Sequence, residues 1–156
     1  MASSRINENP ETILGKIEDA MKERNYILSL FLEHSTLESY VSELILMANG
    51  KQEEIAKTPL DTYKRINFDT LLSLSYILRY LDHNLYSRLK KFSKERNKFV
   101  HNLIGYDFKD PKIKNEVKKL ATDGLDLCKV ISEKYENIIY SKYLDSEDFR
   151  GPHGGR

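Results

Sequence analysis

The chain has no tryptophan, one cysteine, four prolines and seven glycines in 156 residues, and its charges nearly cancel. Each scarcity excludes something. Cys128 alone forms no internal disulfide and builds no cysteine-ligated zinc site, which points to a reducing, cytoplasmic setting. So few glycines and prolines do not furnish the turns of an all-β fold. Lys and Arg number 25 against 24 Asp and Glu, a net charge of +1. That balance excludes both a histone-like polyelectrolyte binder and a strongly acidic nucleic-acid mimic. The longest apolar stretch, around 26–32, falls far short of the ~20 residues of a membrane-spanning helix. The first residues lack the basic and apolar regions of a secretory signal. Glycine-rich phosphate loops and paired catalytic carboxylates are also missing, and no cofactor or metal is expected.

What is present is helical periodicity. Asn9-Pro10-Glu11 combines a capping side chain, a proline suited to the first helical position and an acid at the positive end of the helix. Apolar residues from Ile13 to Ala48 predict one long helix, or two nearly collinear ones, ending at Asn49-Gly50. A polar connection over 51–64 contains Pro59 and a short helical turn. Asn67 or Asp69 starts a helix through Leu81. Asp82 caps the next, which is expected to reach Ile104 with Gly105 as its stop. Asp110-Pro111 repeats the cap-then-proline start for a last helix fading near Leu144. The expected architecture is all-α, an antiparallel bundle of four to five helices. It forms a single domain over 9–144, flanked by an N-terminal tail (1–8) and a disordered C-terminal tail (145–156).

One helix breaks its own pattern. Leu85, Leu89, Phe92, Arg96, Phe99 and Leu103 recur at alternating spacings of four and three, so they fall in one arc with Arg96 near its middle. A guanidinium does not lose its proton, so it needs a carboxylate, a carbonyl, a phosphate or an exit to water. His101 lies about 140° around the helix from Arg96 and ~7.5 Å along it, whereas Asn97 and His101 are stacked neighbours. The same helix carries Arg88, Lys90, Lys91, Lys94, Arg96 and Lys98 against the single acid Glu95, a local excess of five in a chain whose net charge is +1.

Arg96-Asn97-Lys98-Phe99-Val100-His101, read as R-N-x-x-x-H late in a helix of a small bundle, resembles the signature of the HEPN superfamily. The resemblance implies a helical bundle covering most of the chain and, for many members, metal-independent RNA cleavage of a toxin or antiviral-defence type. It further implies a homodimer in which two copies of the motif line one cleft. Arg96 would then hold the scissile phosphate, His101 transfer protons and Asn97 orient the imidazole, with Lys91, Lys94 and Lys98 attracting RNA. Histidine suits proton transfer near neutral pH, and arginine supplies a permanent fork for phosphate oxygens. Partners are expected to be RNA, a second copy and an antitoxin or regulatory protein. One departure concerns relatives that are neutralised by nucleotide transfer onto a tyrosine two residues after the histidine. Leu103 occupies that position here.

Blander roles stand beside these. Arg96 also suits a structural arginine paired with Glu38. His101 suits a residue answering the negative end of its helix. His34 and Glu38, on the apolar arc of the first long helix, are candidates for a supporting role at the cleft, although His34 better suits a hydrogen-bonded core histidine. A non-catalytic helical module that binds a nucleotide or a partner protein is the alternative to the ribonuclease.

Overall fold

The computed structural model describes residues 10–48 and 66–145. Those residues form α1 (Pro10–Lys22), α2 (Tyr26–Ala48), α3 (Phe68–Ile77), α4 (His83–His101), a short 3-10 turn (Leu103–Gly105) and α5 (Pro111–Asp145), with no strand among them. The chain is an all-α bundle. The cap expected at Asn9, the stop at Asn49-Gly50, the connection over 51–64 and nearly all of both tails lie outside the described residues.

The first long helix is two helices, and they are not collinear. The N–H of Arg24 bonds the carbonyl of Met21 at 3.1 Å, and that of Asn25 bonds the carbonyl of Ala20 at 2.8 Å. This paired closure is the Schellman stop, with Arg24 in the left-handed conformation at φ 59°. Asn25 then caps α2, its Oδ1 accepting from the Leu28 N–H at 3.3 Å. As a result α1 turns back to pack on both α2 and α5, burying Ile17 and Ala20.

A second Schellman stop ends α3 four residues earlier than expected. Arg79, at φ 63°, donates to Tyr76, and Tyr80 donates to Ser75. Leu81 is buried outside any helix. Among the described residues, the predicted caps at the starts of helices are present. Asn67 Oδ1 accepts from the Thr70 N–H at 2.8 Å, Asp82 Oδ1 from Leu85 at 2.8 Å, and Asp110 Oδ1 from Lys112 at 2.9 Å. At its other end α4 stops at His101, where Asn102 rather than Gly105 caps it. The Asn102 Nδ2 donates to the Lys98 carbonyl at 2.8 Å.

The core is one cluster to which every helix contributes. Within the bundle, α2 and α5 run in the same direction. Tyr26 and Ile27 share a cleft with Lys114 and Lys118, Cys128 Sγ reaches the Glu33 carbonyl at 3.6 Å, and Tyr40 Oη donates to Ser132 Oγ at 3.3 Å. By contrast α4 runs against α5, pairing Arg88 with Asp126 and setting Phe92 against Gly124. It packs chiefly on α3 and α5, leaving side chains to bridge its gap to α2.

Candidate functional site

The site grows out of the stripe on α4. Leu85, Leu89, Phe92 and Phe99 are buried, while Arg96 is half-buried. Its side chain leaves the stripe toward α2, where the guanidinium carbon lies 5.1 Å from the ring centre of Phe31. That distance is in the range of a cation–π contact. Nη1 donates to Asn97 Oδ1 at 3.1 Å, and Nε is buried without a protein acceptor. Burial lowers the Arg96 pKa, and the charge of Glu38 acts in the opposite direction. No ion pair joins Arg96 to Glu38 or to any other carboxylate among the described residues.

His34 stands one turn along α2 from Phe31. Its ring meets Phe68 edge-on at 5.2 Å, and its Nδ1 is buried with no partner. Burial, and secondarily the Arg96 charge, push its pKa down to about 4, so the imidazole is neutral at pH 7. The expectation of a hydrogen-bonded core histidine is not met at Nδ1. Arg96, Asn97, His34 and Glu38 therefore form one neighbourhood between α4 and α2.

His101 is not part of it. The imidazole is exposed in the last turn of α4, without a hydrogen bond among the described residues. Asn97 is engaged with Arg96 and does not hold the His101 ring. The helical wheel puts Lys94, Lys98 and His101 on one exposed face, with Arg96 on the far side. One chain thus presents the two halves of the motif in different directions.

The basic excess is smaller than the sequence count. Arg88 is paired with Asp126, Lys90 with Asp69 at 3.1 Å, and Lys91 lies 4.0 Å from Glu95. Lys94, Arg96 and Lys98 are the cations of α4 without an acid partner among the described residues, so Lys91 is the weakest of the three expected RNA contacts.

Two residues escaped the sequence reading, one at this site and one in the adjoining core. Phe31 carries no signal, because its partner is 65 residues away on another helix. Glu33 is fully buried, with Ser29 Oγ donating to its Oε1 at 2.6 Å and Oε2 unpartnered. Burial pushes its pKa up to about 8. A polar ladder of Ser29, Glu33, Thr36 and Tyr40 at helical spacing, all buried, was the available clue. No group of three or more His, Cys, Asp or Glu is arranged to hold a metal among the described residues. No described helix is long and apolar enough to cross a membrane.

Comparison with known proteins finds no matching family model, no matching curated protein and no matching solved structure.

Proposed function

We propose that the chain is a metal-independent endoribonuclease of HEPN type, acting as a homodimer, with a toxin or antiviral-defence role in the cytoplasm. The observation that carries this is Arg96. It is a half-buried guanidinium on an otherwise apolar stripe, held against Phe31, with no carboxylate of the described residues at contact distance. A cation kept in low dielectric without a counter-ion gains more from an arriving phosphate than a solvated lysine does.

In the proposed reaction the 2′-hydroxyl of RNA attacks the adjacent phosphorus and the bond to the 5′-oxygen breaks. The products are a 2′,3′-cyclic phosphate and a 5′-hydroxyl. One histidine accepts the 2′-proton and another donates to the leaving oxygen. Two protomers supply both, His101 from each copy, which also suits the divergence of Arg96 and His101 within one chain. Arg96 neutralises the crowded phosphorane. Lys94 and Lys98, on the His101 face, hold the strand electrostatically.

The test is incubation of mixed RNA with the protein in EDTA, followed by end-group analysis and sedimentation. Cleavage to those ends by a dimer, lost in both His101→Ala and Arg96→Ala, is expected. Equal cleavage by parent and variants removes the assigned roles. The separation of the two motif halves also favours a second reading, a non-catalytic module that binds a nucleotide or partner protein. It predicts saturable binding with no RNA turnover.

A further inference from the structure

The Arg96 neighbourhood contains a histidine, and it is His34 rather than His101. Phe31 and His34 are one turn apart on α2 and share a face. The guanidinium carbon of Arg96 lies 5.1 Å from the Phe31 ring centre, and the Arg96 charge helps to depress the His34 pKa. Phe31 is 45% exposed, so solutes reach this face of α2. Phe68 holds the imidazole edge-on at 5.2 Å.

Each of the two side chains keeps one nitrogen inside. Arg96 Nε and His34 Nδ1 are buried with no partner among the described residues. With Nη1 donating to Asn97 Oδ1, Nη2 is the guanidinium nitrogen left for a ligand. A neutral imidazole has one N–H and one lone pair. A buried N–H without an acceptor is rarer than an unsatisfied lone pair, so His34 leaves the lone pair on Nδ1 and carries its proton on Nε2. A second proton would create that orphaned N–H and add a charge beside Arg96. Burial already opposes it, pushing the pKa down to about 4. The acids nearby do not reverse this. Asp69 on α3, next to Phe68, is paired with Lys90. Glu38 stands one turn on along α2, yet among the described residues Arg96 is the one charge that shifts His34.

We propose that His34 is a second binding residue for an anion at Arg96, a neutral Nε2–H donor that bonds one oxygen of a tetrahedral oxyanion while Arg96 neutralises its charge. The inference rests on the reading that a phosphate settles on Arg96, and it does not require cleavage. It gives the two histidines different work. His34 keeps one protonation state near neutral pH, whereas the exposed His101 is free to carry protons. The anion arrives either as a diester of a strand or as a free oxyanion.

The full chain, isotope-labelled at the side-chain nitrogens of histidine and arginine, is titrated by NMR with sulfate and with a 2′-O-methylated, uncleavable octanucleotide. Sulfate keeps its charge where inorganic phosphate titrates. His34 is expected to hold its proton on Nε2 from about pH 5 to about pH 8, and the ligand should move the His34 Nε2 and Arg96 signals with one Kd. That Kd should change by less than about threefold over the same range. His34→Gln, whose amide N–H replaces Nε2–H, should bind within about threefold of the parent, and His34→Leu about tenfold more weakly. Glu38→Gln removes a charge that repels the anion and should tighten binding by about threefold. Saturation by sulfate identifies a free oxyanion, and the same His34 response to the octanucleotide alone identifies a strand. RNA cleavage with His34 silent to both ligands overturns this inference alone, and a His34 response without RNA cleavage overturns the ribonuclease reading alone. A Kd that tightens about tenfold on acidification, or His34→Leu binding like the parent, overturns the neutral donor.

Discussion

Gly124 of α5 lies against the buried carboxyl of Glu33 on α2. A β-carbon built at Gly124 would collide with Glu33 Oε2 and stand 2.6 Å from Cε2 of Phe92. One missing methyl group lets α5 approach α2 and α4 together. Gly124→Ala would raise helix propensity by roughly 1 kcal/mol anywhere else in an exposed helix. Here overpacking, typically about 1–3 kcal/mol, outweighs that gain because the buried Glu33 carboxyl and the Phe92 ring must both move. Urea denaturation is expected to show a net loss of about 1–2 kcal/mol, partly recovered by adding Phe92→Leu. A more stable Gly124→Ala protein would contradict the packing at this point.

Glu33 makes stability depend on pH. Its folded pKa is raised from 4.5 to about 8, so between those values the folded state holds a proton that the unfolded state has released. The contribution of this group is therefore full below about pH 4.5, falls as pH rises, and is lost by about pH 8. Glu33→Gln keeps the shape without the titration. The variant should gain on the parent progressively from pH 5 to 8, by on the order of a few kcal/mol at the alkaline end. Denaturant midpoints measured across that range check it, and a constant offset between the two proteins would sink the assignment.

Arg79 sits in the left-handed region at φ 63°, where a β-carbon is penalised and glycine is not. Arg79→Gly should stabilise the fold by roughly 1 kcal/mol, or roughly 3 °C in Tm. Differential scanning calorimetry reads this directly. A lower Tm would mean that the arginine side chain contributes more than its backbone conformation costs.

Arg96 and His101 should separate stability from activity. His101 is exposed, so His101→Ala should alter stability by less than about 0.5 kcal/mol. Arg96→Ala loses the contact with Phe31 and the covering of its stem, about 1 kcal/mol, and leaves no buried carboxylate unpaired. Both variants should lose about a hundredfold or more in RNA cleavage. Thermal melts alongside the RNA assay check the pair. A loss of several kcal/mol in Arg96→Ala would instead mark a structural arginine.

The features legible in the sequence are those whose physics is local. Asn67, Asp82 and Asp110 cap helices through bonds two or three residues away, and the α4 stripe with its odd Arg96 follows from 100° per residue. The all-helical fold follows from the same periodicity. Two of the three missed helix stops lacked the usual glycine, because Arg24 and Arg79 occupy the left-handed position, and nothing in their side-chain chemistry announces it.

Residue types and their spacing by themselves determined which segments are helical, where three of them start, and that an arginine stands on an apolar face. Tertiary structure alone decided what those side chains meet. Asp126 and Asp69, from other helices, pair with Arg88 and Lys90, so the basic excess counted along α4 is smaller in space. Phe31 receives Arg96, and Gly124 makes room for Glu33. These outcomes depend on partners 21 to 91 residues away along the chain, and local propensity does not encode such encounters. Burial and Coulomb interactions respond to distance in space, and that distance was set when α1 and α4 turned against the parallel pair of α2 and α5.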